Sequence, residues 1–414
     1  DQYHGRPGVA IPVTTQSPVR AVAGTTTIGL IAGALGAIGL MEGASGGIWS
    51  DVLRHFGLGD SALGPAFALQ AAVVLPVLIF GGQLLQRFGL RIMIVVGAVL
   101  MGLASVGLLS LSMSATFFAL FIIRGFGVAL LDLAGNTMAM HVERENGIHI
   151  MGIVHGGFSI GIVIGSLIAY GIYQAGGTFT TVHLVVAISL GLFAIAAAVG
   201  PVPNERSADA VDPITIAAFR LPLVRFCAVI LGLAFGGELL ISQFVSVLLR
   251  TRTEASDSFA VLAVVVYATM MAIGRFSNGA LMSRFGALRL MMWQGAGVTI
   301  GGAILATAPN AGITLVGSLI GGLAIAGVVP TVLSYAAAHS PGSPGETASA
   351  SLLGGYLGGL IIPLLAGGLT SLFSIRVGIA LVMVAGVLTV LLCQALKRDR
   401  DREDDSVRPS SVAI

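Results

Sequence analysis

Two short charged segments, about 197 residues apart, constrain the fold of this chain more than any other feature. The first begins at Gly82 and reads GQLLQRFGLR, and the second begins at Gly279 and reads GALMSRFGALR. Each follows the second apolar stretch of a half-chain that contains six such stretches. A repeat on this scale indicates two parallel halves that pack as similar bundles, with the binding site between them.

The composition predicts a membrane protein. Of the 414 residues, 56% are hydrophobic and only 10% are charged, whereas a soluble domain of this length needs more charge to cover its surface. Most apolar stretches are long enough to cross a hydrocarbon layer roughly 30 Å thick at about 1.5 Å per residue. We predict spans 1 to 12 at residues 22–49, 62–86, 91–112, 115–140, 148–174, 180–200, 222–249, 257–283, 288–308, 312–338, 345–373 and 375–396.

Basic residues predict the orientation of these spans. The opposite faces hold only Arg54, Arg250, Arg252 and Arg376. Apart from two arginines inside spans, Arg124 and Arg275, the remaining arginines and the lysine lie on the faces that share both termini and both charged segments. By the positive-inside rule, both termini lie in the cytoplasm of a cell whose plasma (inner) membrane the chain crosses. The predicted organisation is a cytoplasmic segment 1–21, a six-helix bundle 22–200, a cytoplasmic linker 201–221, a second bundle 222–396 and a disordered cytoplasmic tail 397–414.

The two charged segments resemble the cytoplasmic signature of the major facilitator superfamily, Gly-x-Leu-x-Asp-Arg-x-Gly-Arg-Arg. The residues that carry the resemblance are Gly82, Arg87, Gly89, Arg91, Gly279, Arg284, Gly286 and Arg289. The acidic position of the signature is Gln86 in the first copy and Ser283 in the second, so the carboxylate that helps to latch adjacent helix ends in that family is missing. Arg87 and Arg284 can still complement nearby helix C-termini, or they serve only to fix the topology.

This resemblance implies an all-α membrane protein with twelve transmembrane helices in two pseudo-symmetric six-helix bundles. It also implies secondary transport by alternating access. The expected partners are the lipid bilayer, protons and a small-molecule substrate.

Charged residues inside the spans need a reason, because burying one costs roughly 2.5–3.5 kcal/mol on insertion scales. In span 4, Arg124, Asp132 and Asn136 lie along one helix face, since their spacing is a multiple of four. Asp132 followed by Asn136 resembles the fucose-permease-like branch of sugar/proton symporters, in which the acid of this span is implicated in proton coupling. The resemblance assigns that role to Asp132, with Asn136 and Arg124 beside it. We interpret another charged residue, Arg275 in span 8, as structural.

His155 in span 5 is the expected neighbour of Asp132. Spans 4 and 5 are antiparallel, and both side chains are predicted to lie roughly 10–14 Å from the cytoplasmic end of their helices. Desolvation raises the proton affinity of a buried carboxylate, so the two groups could exchange a proton. The alternative is a static hydrogen bond of Asp132 with His155 or Asn136 that pins the helices together.

A second pair of acids follows the repeat. Glu42 in span 1 and Glu238 in span 7 occupy equivalent positions, and we expect them to face each other across one central cavity. There they bind the substrate or, alternatively, share a proton. Trp49 lies on the same helix face as Glu42 and could stack on a ligand, or it could anchor the membrane interface. Gln243 and Tyr356 complete the predicted substrate contacts.

The motifs that are missing narrow the function. No phosphate-binding Gly-x-x-x-x-Gly-Lys segment and no zinc-ligand spacing of histidines is present, so we predict no enzyme activity, no metal and no cofactor. The basic residues lie in loops on one side, which predicts no nucleic-acid partner, and we expect a monomer. The favoured function is proton-coupled uptake of a small organic solute, such as a sugar or another metabolite. Proton-antiport efflux of a drug or metabolite and a non-transporting sensor or scaffold remain as alternatives.

Overall fold

The computed structural model describes residues 24–146, 150–202, 219–253, 255–339 and 344–407. All regular structure in these ranges is helical, and twelve helices are long and apolar enough to cross a membrane. In chain order, spans 1 to 12 are Thr25–Gly46, Leu63–Ile79, Leu90–Ser110, Ser114–Asn146, Met151–Gln174, Phe179–Val199, Pro222–Arg252, Asp257–Phe285, Ala287–Thr307, Ala311–Ile325 with Val328–Ala338, Pro344–Leu372, and Ile375–Ile379 with Leu381–Val407. The predicted fold class is confirmed.

Spans 1 to 6 and spans 7 to 12 form two bundles in which glycines build equivalent contacts. In the first bundle, span 1 packs along span 5, and a Cβ added to Gly161 would meet the carbonyl oxygen of Gly36. In the second bundle, span 7 packs along span 11, and a Cβ added to Gly358 would meet the backbone of Gly232. Small residues allow backbones to approach this closely in lipid, so the sequence repeat is also a repeat of helix packing.

The bundles meet through spans 2 and 11, spans 5 and 8, and spans 1 and 7. We call the face that carries Gly89 and Gly286 the motif face, and the face that carries the short helix Trp49–His55 the far face. At the far face, Gly64 of span 2 lies against the backbone of Gly367 of span 11, and the short helix packs on span 7. The far face is therefore closed between the bundles.

The two charged segments fold alike. Gly89 and Gly286 adopt φ angles of 76° and 78°, which L-residues rarely reach, and each precedes the next span. The helix-end interaction expected of Arg87 and Arg284 is made by Arg91 instead. Its guanidinium donates hydrogen bonds to carbonyl oxygens at the end of span 6, namely those of Ala198 (3.2 Å), Gly200 (3.2 Å) and Val202 (3.0 Å). Arg87 and Arg284 lie over the neighbouring rings of Phe88 and Phe285.

Several predicted boundaries need correction. Span 1 ends at Gly46 instead of residue 49, span 2 is followed by a separate helix Gly81–Phe88, and span 10 is interrupted between Ile325 and Val328. Pro330 lacks the backbone N–H that would continue the hydrogen-bond ladder across this interruption. The last helix runs to Val407, so the first part of the tail that we expected to be disordered is helical. Residues 1–21, most of the linker and residues 408–414 lie outside the described ranges.

Candidate functional site

Asp132 lies at the boundary between the bundles. The amide of Asn136, one turn further along span 4, donates 2.9 Å hydrogen bonds to the carboxylate Oδ1 and to the backbone carbonyl of Asp132. The hydroxyl of Tyr356 in span 11 donates to Oδ2 of Asp132, so this bond crosses from one bundle to the other. Phe235 of span 7 packs edge-on against the Tyr356 ring at 5.6 Å and fixes its position. The side chain of Asp132 is thus held from both bundles.

The side chains of His155 and Asp132 interact electrostatically, as their predicted depths suggested. The His155 side chain is exposed on the surface of span 5. It also interacts with the positive charge of Arg275 in span 8. The imidazole therefore interacts with a carboxylate of its own bundle and with a guanidinium of the other bundle.

Glu238 is paired with Arg275. Nη2 of Arg275 lies 3.0 Å from both carboxylate oxygens of Glu238, and Nη1 donates a 3.2 Å hydrogen bond to the hydroxyl of Ser159 in span 5 of the other bundle. The Arg275 guanidinium also lies 5.2 Å from the ring centre of Phe158. Both side chains of the ion pair are partly exposed, at 18% and 16%, so the pair remains open to a solute.

Glu42 does not face Glu238 as an unpaired carboxylate. Its Oε2 lies 2.7 Å from Nη2 of Arg124, which is fully buried. The guanidinium is 5.4–5.7 Å from the ring centres of Trp49, Phe67 and Phe121. Arg124 therefore belongs to a sealed ion pair inside the first bundle, separate from the Asp132 side chain that shares its helix face.

Trp49 does not anchor the membrane surface. It is fully buried, and its indole N–H donates a 2.7 Å hydrogen bond to Oε1 of Gln243 in span 7. Gln243 is 1% exposed and is occupied by this bond. Ser246, one turn further on, donates a 2.6 Å hydrogen bond to the carbonyl of Gly46. These residues close the bundles against each other, and a substrate contact of Trp49 or Gln243 stays a prediction.

Beyond this closure, a charged cluster covers the far face. Arg250 at the end of span 7 bonds Asp51 of the short helix at 2.6 Å and Asp257 of span 8 at 2.7 Å. The Tyr173 hydroxyl and the Arg54 guanidinium also donate to Asp51. A cavity of about 440 Å³ at this face is lined in part by Asp51, Tyr173 and Asp257.

Burial raises the pKa of the Asp51 carboxyl, but hydrogen bonds from Arg250, Tyr173 and Arg54 and the charge of Arg250 outweigh it. The pKa of Asp51 is therefore held below its usual value of 3.8. The carboxylate stays ionised and paired over the physiological pH range.

The roles of Arg250 and Tyr173 were not predicted from the sequence, and Arg275 was interpreted as structural only. The signal for Arg275 was available, because a charge within a span needs a partner, and Glu238 was already a candidate. His183 of span 6 was missed as well. It is fully buried and interacts with the charge of Arg124. Within the described residues, no group of three or more His, Cys, Asp or Glu side chains could hold a metal ion.

Comparison with known proteins gives both sequence and structural relatives. A family model, Major Facilitator Superfamily, matches residues 31–341 and 226–412. The chain is 23% identical over 363 residues to the membrane protein MosC of Rhizobium meliloti, covering 86% of each protein. It is also 23% identical over 350 residues to an uncharacterized MFS-type transporter of Yersinia pestis, covering 83% of this chain and 89% of that protein.

Three solved structures share the fold at low sequence identity. The D-xylose-proton symporter has a TM-score of 0.70 and 17% identity, and the alignment covers 89% of this chain and 96% of that one. The nucleoside transporter NupG has a TM-score of 0.65 and 13% identity, with 89% and 99% covered. The E. coli fucose:proton symporter FucP has a TM-score of 0.56 and 15% identity, again with 89% and 99% covered.

Proposed function

Because this chain belongs to the Major Facilitator Superfamily and is a membrane transporter of a small solute, not an enzyme, we propose that it is a proton-coupled secondary active transporter. The proton is carried by Asp132, and the solute is a small organic molecule, such as a sugar or another metabolite. The solute binds between the bundles, in contact with Glu238 and Tyr356. Glu42, Trp49 and Gln243 are left out of the proposed solute site because they are buried in contacts between protein side chains.

The observation that carries this proposal is the pairing of the carboxylates deep within the described spans. Glu42 is paired with Arg124, and Glu238 is paired with Arg275. Asp132 has only uncharged hydrogen-bond donors, from Asn136 and Tyr356, and an exposed histidine nearby. A carboxylate without a guanidinium partner is the one that can bind and release a proton at moderate cost.

The hydrogen bond from Tyr356 gives protonation of Asp132 a conformational consequence. A hydrogen bond to an ionised carboxylate is roughly twice as strong as one between neutral groups. Protonation of Asp132 therefore weakens a contact that holds the two bundles together. Proton binding and bundle separation are then linked, and each changes the equilibrium of the other.

The closed far face supports a path that opens toward the motif face. Span 10, which reaches the motif face, packs extensively only on helices of its own bundle among the described residues. We further propose that the motif face is cytoplasmic, that both termini lie on that side of the plasma (inner) membrane, and that residues 22–200 and 222–396 act as the two moving units of a monomer. Accessibility of a cysteine placed at Gln86 to membrane-impermeant reagents tests the orientation.

The experiment is solute flux into proteoliposomes over a panel of sugars, nucleosides and organic acids, with and without an imposed pH gradient. We expect accumulation of one class of solute that depends on the gradient. Asp132→Asn keeps the size of the side chain and removes its titration, so it should abolish accumulation and leave exchange of labelled solute partly intact. Accumulation by Asp132→Asn at the parent rate would refute proton carriage by this residue.

Proton-antiport efflux is the second candidate. The rings of Phe158 and Phe235 lie beside Arg275 and Tyr356 at the bundle interface, and such rings suit an apolar solute better than a free sugar. The same proteoliposomes separate the two functions. Uptake driven by protons entering with the solute indicates symport, whereas uptake that requires protons to leave in the opposite direction indicates antiport.

A further inference from the structure

Arg275 lies at the interface between the bundles. On one side are the side chains of the first bundle that are proposed to carry the proton, and on the other is Glu238, the carboxylate that is proposed to bind the solute. We infer that Arg275 is a positioning residue that transmits the charge state of Asp132 to Glu238 and to the contact between the bundles. The inference rests on the proton-coupled function proposed above.

The contacts of Arg275 divide between the bundles. Within its own bundle, it binds both oxygens of Glu238 at 3.0 Å. Across the interface, it donates to Ser159 at 3.2 Å and lies over Phe158. The planar guanidinium has five donors in a fixed geometry. It cannot keep both sets of contacts when the bundles move relative to each other, so its alignment depends on their separation.

Span 5 connects this guanidinium to the proton site. His155, Phe158 and Ser159 lie within about one helical turn, and His155 interacts with both Asp132 and Arg275. The face of span 5 toward span 1 is formed by small residues, because Gly157 lies against the backbone of Ala32 and Gly161 lies against that of Gly36. Among the described residues, the charged groups that interact with His155 are Asp132 from span 4 and Arg275 from span 8.

The sequence of charges explains how the effect is transmitted. While Asp132 is ionised, its negative charge attracts the Arg275 guanidinium toward span 5, where His155 interacts with both groups. Once Asp132 is neutralised, that attraction is lost and the guanidinium is favoured on the Glu238 side, away from span 5. The bond between Arg275 and Ser159 should therefore weaken when Asp132 takes up a proton.

The test measures bundle separation and needs no solute. Spin labels at Gln86→Cys and Ser283→Cys, two exposed positions at equivalent places in the repeat, report the distance between the bundles at the motif face in lipid nanodiscs. Asp132→Asn mimics the protonated carboxyl. In the parent protein, we expect it to change the ratio of the short-distance and long-distance populations about fivefold.

Variants of Arg275 and Ser159 then test whether the response to Asp132→Asn depends on the Arg275 guanidinium. We expect Arg275→Gln to abolish the response to Asp132→Asn, and Ser159→Ala, which keeps the charge, to reduce it. Arg225→Gln, which removes an exposed arginine from the start of span 7, is the matched control and should keep the full response. If Arg275→Gln does not yield folded protein, Arg275→Lys and Ser159→Ala decide. Both variants keep a positive charge at position 275. The first loses the planar guanidinium, and the second loses the hydroxyl that accepts its hydrogen bond.

The outcomes distinguish this inference from the proposed function. A response to Asp132→Asn that persists at full size in the Arg275 and Ser159 variants overturns only the role of Arg275. No response in the parent protein overturns the link between Asp132 and alternating access, and both proposals fail together. A response that is lost in Arg275→Gln and kept in Arg225→Gln supports the inference.

Discussion

Arg250 and Asp51 join the two bundles at the far face through an ion pair of 2.6 Å, with both side chains about one-tenth exposed. Asp51 follows span 1, and Arg250 ends span 7, so the bond connects equivalent helices of the repeat. The same guanidinium holds Asp257 of span 8. A partly buried arginine shared by two carboxylates is costly to separate, because each charge left behind loses its partner. This pair is therefore one of the contacts that must break before the far face opens.

The first prediction concerns this contact. Arg250→Gln should shift the protein toward a state that is open at the far face, because Asp51 and Asp257 are then left without their shared cation. Spin labels at Ser112→Cys and Ser371→Cys, exposed at the far face on different bundles, measure the change as a longer distance. Arg252→Gln removes an exposed arginine two residues away and should leave the distance unchanged. Equal distances in the parent and in Arg250→Gln would show that other contacts keep the far face closed.

The second prediction gives the pH dependence of the ion pair between Arg250 and Asp51. The pKa of Asp51 in the closed protein lies below the usual 3.8. The ionised carboxylate therefore contributes fully to closure at any pH above 3.8. This contribution is lost only as the pH falls through the lower pKa of the closed state. The distance between the far-face labels should therefore be constant from about pH 8 to about pH 5. A transition in this range that survives in Asp51→Asn would assign the pH dependence to another group.

The third prediction tests the bond between Tyr356 and Asp132. Tyr356→Phe keeps the ring that packs on Phe235 and removes the hydroxyl, whose hydrogen bond to a charged group contributes about 1.5–3 kcal/mol. We expect solute accumulation under a pH gradient to fall at least tenfold, by the conversion of about 1.4 kcal/mol per factor of ten. Exchange of labelled solute at equal pH should be retained in part, because Glu238 and the phenyl ring still contact the solute. Tyr170→Phe removes a hydroxyl near the far face and should behave like the parent.

The sequence predicted the features that follow from periodicity and from the cost of burying charge. The twelve spans, the two bundles and the approach of Asp132 to His155 could be inferred because depth along a helix is fixed by residue count. Rotation about each helix axis and the choice of partner could not. Glu42 and Glu238 are equivalent in the repeat, but their arginines come from span 4 and span 8, which are not equivalent helices.

The burial of Trp49 could not be inferred from the sequence either. Its place at the end of span 1 was compatible with an exposed ring, yet the chain turns at Gly46 and Gly47 into the short helix and buries the indole against span 7. The two glycines mark the turn locally, but nothing near Trp49 identifies Gln243 as the partner of the indole, since Gln243 lies almost half the chain away. Long-range polar pairs of this kind depend on the packing of whole bundles.

The fourth prediction concerns the sealed ion pair in the first bundle. Arg124→Gln leaves Glu42 buried without a cation, and breaking a buried pair in this way costs roughly 3–5 kcal/mol. The thermal unfolding midpoint of the purified protein should fall clearly. Glu42→Gln combined with Arg124→Met removes both charges and should recover much of the loss. A midpoint for Arg124→Gln equal to that of the exposed control Arg225→Gln would show that the pair does not stabilise the fold.

The fifth prediction tests the glycine contact that lets spans 1 and 5 approach. At Gly161, an added Cβ would meet the backbone of Gly36 and Leu40, so neither neighbour can move aside without shifting a helix. Gly161→Ala should destabilise the protein by about 1–3 kcal/mol, as overpacking of a dense core does. Gly171 lies on the same span with no neighbouring atom within 4 Å of an added Cβ. There, alanine gains up to about 1 kcal/mol of helix propensity and should leave the protein as stable as the parent or more so. Thermal unfolding of both variants in one detergent should therefore give shifts of opposite sign, and equal shifts would show that close helix approach does not determine the effect.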